Sequence, residues 1–165
     1  MQLVALAYGA AALFQGRPVF LAALGSRFEV VHADEVSERW LSESGVALPY
    51  FGPQWVGTRY PVDPVEVDRV ELASSLGVSL GSFPQHHQPL AAMTAEILQG
   101  ASPVATLQKV NPGKAALIRA WLVSHGRTEA DTVFQGLKAR SEDLTVMIDK
   151  KTGDVIGIAP FKPWE

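Results

Sequence analysis

From Leu3 to Val31 the chain reads LVALAYGAAALFQGRPVFLAALGSRFEVV, and no other stretch restricts the fold as much. Met1 to Gly16 carries no charged side chain, and Arg17 is the first one met. As a helix this run is about 24 Å long at ~1.5 Å per residue, whereas a full membrane span takes roughly 20 apolar residues. A cleaved signal peptide wants Lys or Arg ahead of its apolar run, and none is present. Three readings stand: the distal part of a transmembrane helix whose start lies upstream, a short anchor complete as it is, or a buried N-terminal helix. The small residues from Ala5 to Ala12 favour the membrane, because they let membrane helices pack closely. The expectation adopted is therefore a membrane helix over residues 1–16, truncated at its start, with residues 17–165 forming a soluble α+β domain.

Beyond Arg17 the pattern changes to strands. Pro18 to Leu24 is apolar throughout and reads as a buried strand. Gly25-Ser26 is a tight-turn signal, and Arg27 to Ala33 alternates as a second strand. Ala33 to Ser44 reads as one short amphipathic helix opened by Asp34 and ended near Gly45. Pro49 to Pro61 is punctuated by Pro and Gly, with a short strand expected at Gln54 to Arg59. It holds four aromatics, Tyr50, Phe51, Trp55 and Tyr60, which either form an exposed partner surface or cap the end of the core.

Asp63-Pro64 opens the next helix, with Val65, Leu72 and Leu76 on the core side, Asp68 and Arg69 outside, and Gly77 as the stop. Val78 to Leu90 reads as a linker. Three short helices follow: Ala91–Gln99, one starting at Ser102-Pro103, and Lys114–His125 with Leu117, Ile118, Trp121 and Leu122 inward. Strands are expected at Phe134–Ala139, Leu144–Asp149 and Val155–Ala159. Gly153 is free to take positive φ in the turn before the last of them. The fold class is thus α+β: an N-terminal hairpin and a C-terminal three-strand meander in one antiparallel sheet, covered by short helices.

Composition narrows the functional classes. With 47% hydrophobic and 19% charged residues the chain can bury a core. A net charge of -3 and no Lys/Arg stripe give nucleic-acid binding little support. Cysteine is absent, which removes disulfides, thiol nucleophiles and Cys-based zinc sites. His86-His87 point in opposite directions if extended, and no ligand spacing surrounds them, so they read as solvent-exposed loop histidines. No nucleophile elbow, phosphate loop or dinucleotide fingerprint occurs. Asp34-Glu35, Asp63, Glu66 and Glu142-Asp143 sit where caps and turns want carboxylates. No catalytic, cofactor-binding or metal site is assigned, and no cofactor is expected.

Two stretches together resemble a known family. Arg17, Pro18, Val19 and Phe20, then Arg27, Phe28, Val30, Val31, Ala33 and Asp34, are similar to the passage from last membrane helix into soluble domain in the TfpX/TfpZ family of type IV pilin accessory proteins. The ending resembles that family's closing hairpin at Asp143, Thr145, Val146, Asp149, Thr152, Gly153, Pro163 and Trp164. Between them, WVGTRYPVDPVE resembles the family's Gly-x-Arg-x-Pro-x-Asp-Pro-x-Glu link. Family members carry further membrane helices upstream, and the resemblance implies that this chain begins inside the last of them. The resemblance implies a bacterial inner-membrane protein with a periplasmic domain. It would assist assembly or display of a cognate type IV pilin, in contact with pilin or the assembly machinery, without being an enzyme. It carries over no catalytic residue. Pro18, Gly153 and Trp164 are implied to be structural. A different class also fits the element order: a tethered periplasmic ligand-sensing module with a PAS-like sheet and a pocket.

Overall fold

A computed structural model describes residues 12–165. The expected membrane helix therefore lies mostly outside the described residues. Residues 12–15 are helical, and no helix among the described residues is long and apolar enough to cross a membrane. The chain is α+β and divides into two compact units. One holds residues 12–22 with Val30–Gln88, and the other holds Ala23–Glu29 with Pro89–Glu165.

Strands β1 (Pro18–Ala23) and β2 (Phe28–His32) form the expected hairpin. Gly25 supplies a left-handed residue (φ 88°) and the Leu24 amide donates to the Arg27 carbonyl at 2.9 Å. In the first unit the strand order is β4-β3-β1-β2, with β3 at Gln54–Thr58 and β4 at His87–Gln88. Val19, Phe20, Ala22, Val31 and Val36 form its apolar core, joined by Leu41, Val46, Leu48 and Val56. Two helices belong here, α1 (Glu38–Ser44) and α2 (Pro64–Ser75).

The single helix expected from Ala33 is broken. Ala33–Glu35 is a 3-10 turn in which the Glu35 carboxylate accepts from the His32 amide at 2.8 Å, and α1 then restarts behind Ser37, whose hydroxyl accepts from the Arg39 amide. Helix α2 begins as the sequence implies. Asp63 Oδ1 accepts from the amides of Val65 (3.0 Å) and Glu66 (3.2 Å), with Pro64 in the first turn. It ends with Gly77 left-handed and the Val78 amide bonded back to the Ala73 carbonyl, a Schellman closure.

Val78–Leu90 is not a linker. It folds into two 3-10 turns, Leu80–Ser82 and Pro84–His86, before β4, and Gly81, Ser82, Phe83 and Pro84 are buried. A Cβ at Gly81 would lie 2.7 Å from Ala22 Cβ, so the backbone here presses on β1 where no side chain fits.

The second unit contains the meander β6 (Thr132–Lys138), β7 (Leu144–Asp149) and β8 (Val155–Ala159), antiparallel throughout. One edge of β6 is shared. Its first half pairs antiparallel with β5 (Ser102–Pro103), and its second half pairs parallel with the start of β2, Phe28 facing Leu137. The sheet is therefore mixed, and the antiparallel expectation is corrected. The chain between β2 and β6 holds every helix beyond the hairpin, ample for the crossover that parallel neighbours need.

Helices α3 (Thr94–Gly100), α4 (Val104–Val110) and α5 (Ala115–Ser124) complete this unit. Val104, Leu107, Ile118 and Leu122 pack on Phe134, Met147, Ala159 and Phe161. Leu117, expected inward, is exposed. Buried Gln135 donates to the carbonyls of Gly25 and Ile97, both at 2.7 Å, tying the hairpin turn to the end of α3. Trp164 lies over Gly136, where a Cβ would sit inside its ring, and its Nε1 donates to Asp143 Oδ2 at 3.0 Å.

Candidate functional site

The aromatic segment is the place to begin. Tyr50 is 72% exposed and Phe51 97% exposed, and Tyr60 is also exposed, so these three do not cap the core. Trp55 is half-buried in β3. Tyr50 stands beside the helical turn of residues 12–15, its ring 6.1 Å from that of Phe14. Arg17 joins the two segments. Its Nε and Nη2 donate to the Pro49 carbonyl at 3.3 and 3.1 Å, and its Nη1 donates to the Phe14 carbonyl at 2.7 Å. The guanidinium carbon lies 3.7 Å above the centre of the Phe14 ring, a cation–π contact. Phe14 and Tyr50 are thereby held together, and Leu13, Phe14, Tyr50 and Phe51 leave apolar surface open to solvent.

A second apolar surface lies on α2, where sequence periodicity points the wrong way. Val65, Leu72 and Leu76 share one face, but that face looks outward. Val70, on the opposite side, is the buried residue. Charged side chains share that side. Arg69 Nη1 bonds Glu66 at 2.8 Å and lies 3.5 Å from Glu43 on α1, while Glu66 Oε2 lies 3.4 Å from His86 Nε2. With this facing, the polar side of α2 meets Glu43 and His86. Exposed Val62 and Tyr60 precede the stripe, and the Tyr60 hydroxyl donates to Glu71 on the same helix at 3.3 Å. Burial, together with the Glu71 carboxylate that accepts this bond, raises the phenol's pKa.

The histidines are engaged one by one and do not converge. His86 and His87 are part-buried, which corrects the expectation of exposed loop residues. His87 Nε2 lies 2.7 Å from the Gly81 carbonyl and its ring meets Phe20 edge-on. Burial lowers its pKa. His125 stacks on Trp121 at 3.8 Å. Among the described residues no three His, Asp or Glu side chains gather as metal ligands would.

A cleft of about 420 Å³ opens in the second unit between Leu98, Pro103, Glu129, Thr132 and Lys150. Two of its polar groups are engaged within the protein: Glu129 Oε1 accepts from Gln108 Nε2 at 2.7 Å and the Thr132 hydroxyl donates to Asp131. Comparison with family models, with curated proteins and with solved structures finds no match.

Sequence reasoning singled out the four aromatics but missed the outward stripe of α2. No local signal gave it: Glu66 and Arg69, three apart on one side of the helix, form an i,i+3 ion pair of the kind that usually marks a solvated face.

Proposed function

We propose that this chain is a membrane-tethered accessory protein that helps a cognate type IV pilin reach assembly or surface display. It is placed in the bacterial inner membrane with residues 17–165 in the periplasm. The observation that carries this reading is the ordered resemblance from Arg17 to Trp164 described above. The roles of the matching residues are compatible with it. Pro18 opens β1, Gly153 turns the last hairpin and Trp164 covers Gly136, each a scaffold position.

The surface of the first unit supports an interaction role. Tyr60, Val62, Val65, Leu72 and Leu76 are exposed apolar groups on and beside one helix. A pilin must be released to the fibre, so a weak apolar contact suits the task better than a deep interface. We take this stripe, beginning at Tyr60, as the pilin-facing surface.

The test is deletion of the gene in a strain whose cognate pilin is the only one made. Surface pili should fall while pilin synthesis stays normal. Normal piliation and twitching would overturn the accessory role. Capture of pilin by the purified chain then tests the surface. Leu72→Asp with Leu76→Asp should weaken capture about tenfold or more, as expected when two exposed leucines no longer leave water. If deletion lowers piliation but this variant captures pilin normally, the role stands and the stripe is not its surface.

A further inference from the structure

We infer that Leu13, Phe14, Tyr50 and Phe51 form a membrane-seating surface that rests at the headgroup–acyl boundary of a phospholipid bilayer. This rests on the tethered reading above and adds which face of the protein meets the lipid. Three observations carry it. First, the chain preceding the patch, residues 1–11, contains no charged side chain and runs directly into Ala12, within one helical turn of Phe14. Whatever apolar phase receives that segment brings the patch to its border.

Second, the centre of the patch, Phe14 and Tyr50, is preassembled. Arg17 fastens the turn of residues 12–15 to the Pro49–Gly52 loop through three hydrogen bonds and the Phe14 ring. Third, its chemistry suits the boundary region. Phe51 and Leu13 are 97% and 80% exposed, and each offers only hydrocarbon. Tyr50 adds a ring with a polar end, the residue type that settles at membrane interfaces. Arg17, the first cation after the apolar run, spends its guanidinium on the Pro49 and Phe14 carbonyls and so holds Phe14 and Tyr50 in place. No cluster of Lys or Arg accompanies the patch in sequence, so binding should depend on apolar transfer more than on anionic lipid.

The experiment uses the whole chain and phosphatidylcholine vesicles, with and without phosphatidylglycerol. Wild-type protein should co-sediment with both to a similar extent. Phe51→Asp, at a nearly fully exposed position, should keep its melting temperature and lose about tenfold in partitioning. Leu72→Asp, on the other apolar surface, should partition as wild type. Because the chain has no cysteine, Phe51→Cys takes a single polarity-sensitive label. That label should shift to the blue when vesicles are added. Binding that is unchanged in Phe51→Asp, weakened equally in Leu72→Asp, or accompanied by a water-like label at position 51 would overturn the proposed face while leaving the tether intact. Wild-type protein that ignores both vesicle types would overturn the face and the tether together.

Discussion

Asp149 ends β7 and holds the turn that follows. Its Oδ1 accepts from the amides of Thr152 at 2.9 Å and Lys151 at 2.8 Å, and its Oδ2 receives the Arg127 guanidinium. These bonds favour the charged carboxylate. The Thr152 amide leads, then Lys151 and Arg127, and together they outweigh the opposing effect of burial and lower the pKa. A carboxylate with a depressed folded pKa stabilises the fold fully above its unfolded pKa, near 4, and loses that contribution as pH falls through the folded value. Asp149→Asn should therefore be less stable than wild type at pH 7, and the gap should close as urea unfolding is repeated towards pH 2. A gap that stays constant would show that the charge is not what matters. Three residues of turn later, Gly153 sits at φ 75°, and a Cβ there would approach Thr94 Cγ2 to 2.6 Å. Gly153→Val should cost about 1 kcal/mol or more, from backbone strain and from that clash. A neutral melting temperature would contradict both causes.

Helix α2 shows at the scale of an element where periodicity succeeds and where it fails. Its ends were legible because caps are local chemistry: Asp63 and Pro64 at the start, Gly77 at the stop. Its inward face was not, because facing depends on partners distant in sequence. Glu43 and His86 are the neighbours that Arg69 and Glu66 meet there. The prediction is a reversal of the usual rule. Val70→Ala should cost roughly 2 kcal/mol, as for a buried side chain losing most of its burial, while Leu72→Ala should change stability little. Equal losses at both positions would restore the apolar stripe to the core. Strands followed the same division. Leu144–Asp149 and Val155–Ala159 match their expected bounds, since the Lys150–Gly153 turn fixes them locally. The parallel pairing of Phe28 with Leu137 was not legible, because no local signal links residues so far apart. The buried run Gly81–Pro84 looked like a linker for a related reason: Gly and Pro punctuate loops, and here the missing Cβ is what lets the backbone approach β1. Of the candidate surface, the aromatics could be found from composition alone, but their grouping around Arg17 could not.

For the molecule as a whole, exposed apolar groups and net charge act against each other. Leu13, Phe14, Tyr50 and Phe51 form one uncovered surface, and Val62, Val65, Leu72 and Leu76 line another. Against these stands a net charge of only -3, with a pI near 5.8. Solubility at neutral pH rests partly on like-charge repulsion between molecules, and that repulsion fades as pH approaches the pI. Exposed apolar residues on two molecules will then find each other more readily. The purified chain, without lipid or pilin, should self-associate at tens of micromolar, more strongly near pH 6 than at pH 8. Sedimentation velocity reads this directly. Phe51→Asp and Leu72→Asp should each reduce the association and their combination should reduce it further, because the two positions belong to different surfaces and each substitution adds a negative charge. Melting temperatures should stay close to wild type, since both side chains are already in water. A chain that stays monomeric across that pH range would mean the exposed groups are too dispersed to act as surfaces. Association that is insensitive to both substitutions would place the sticky region elsewhere.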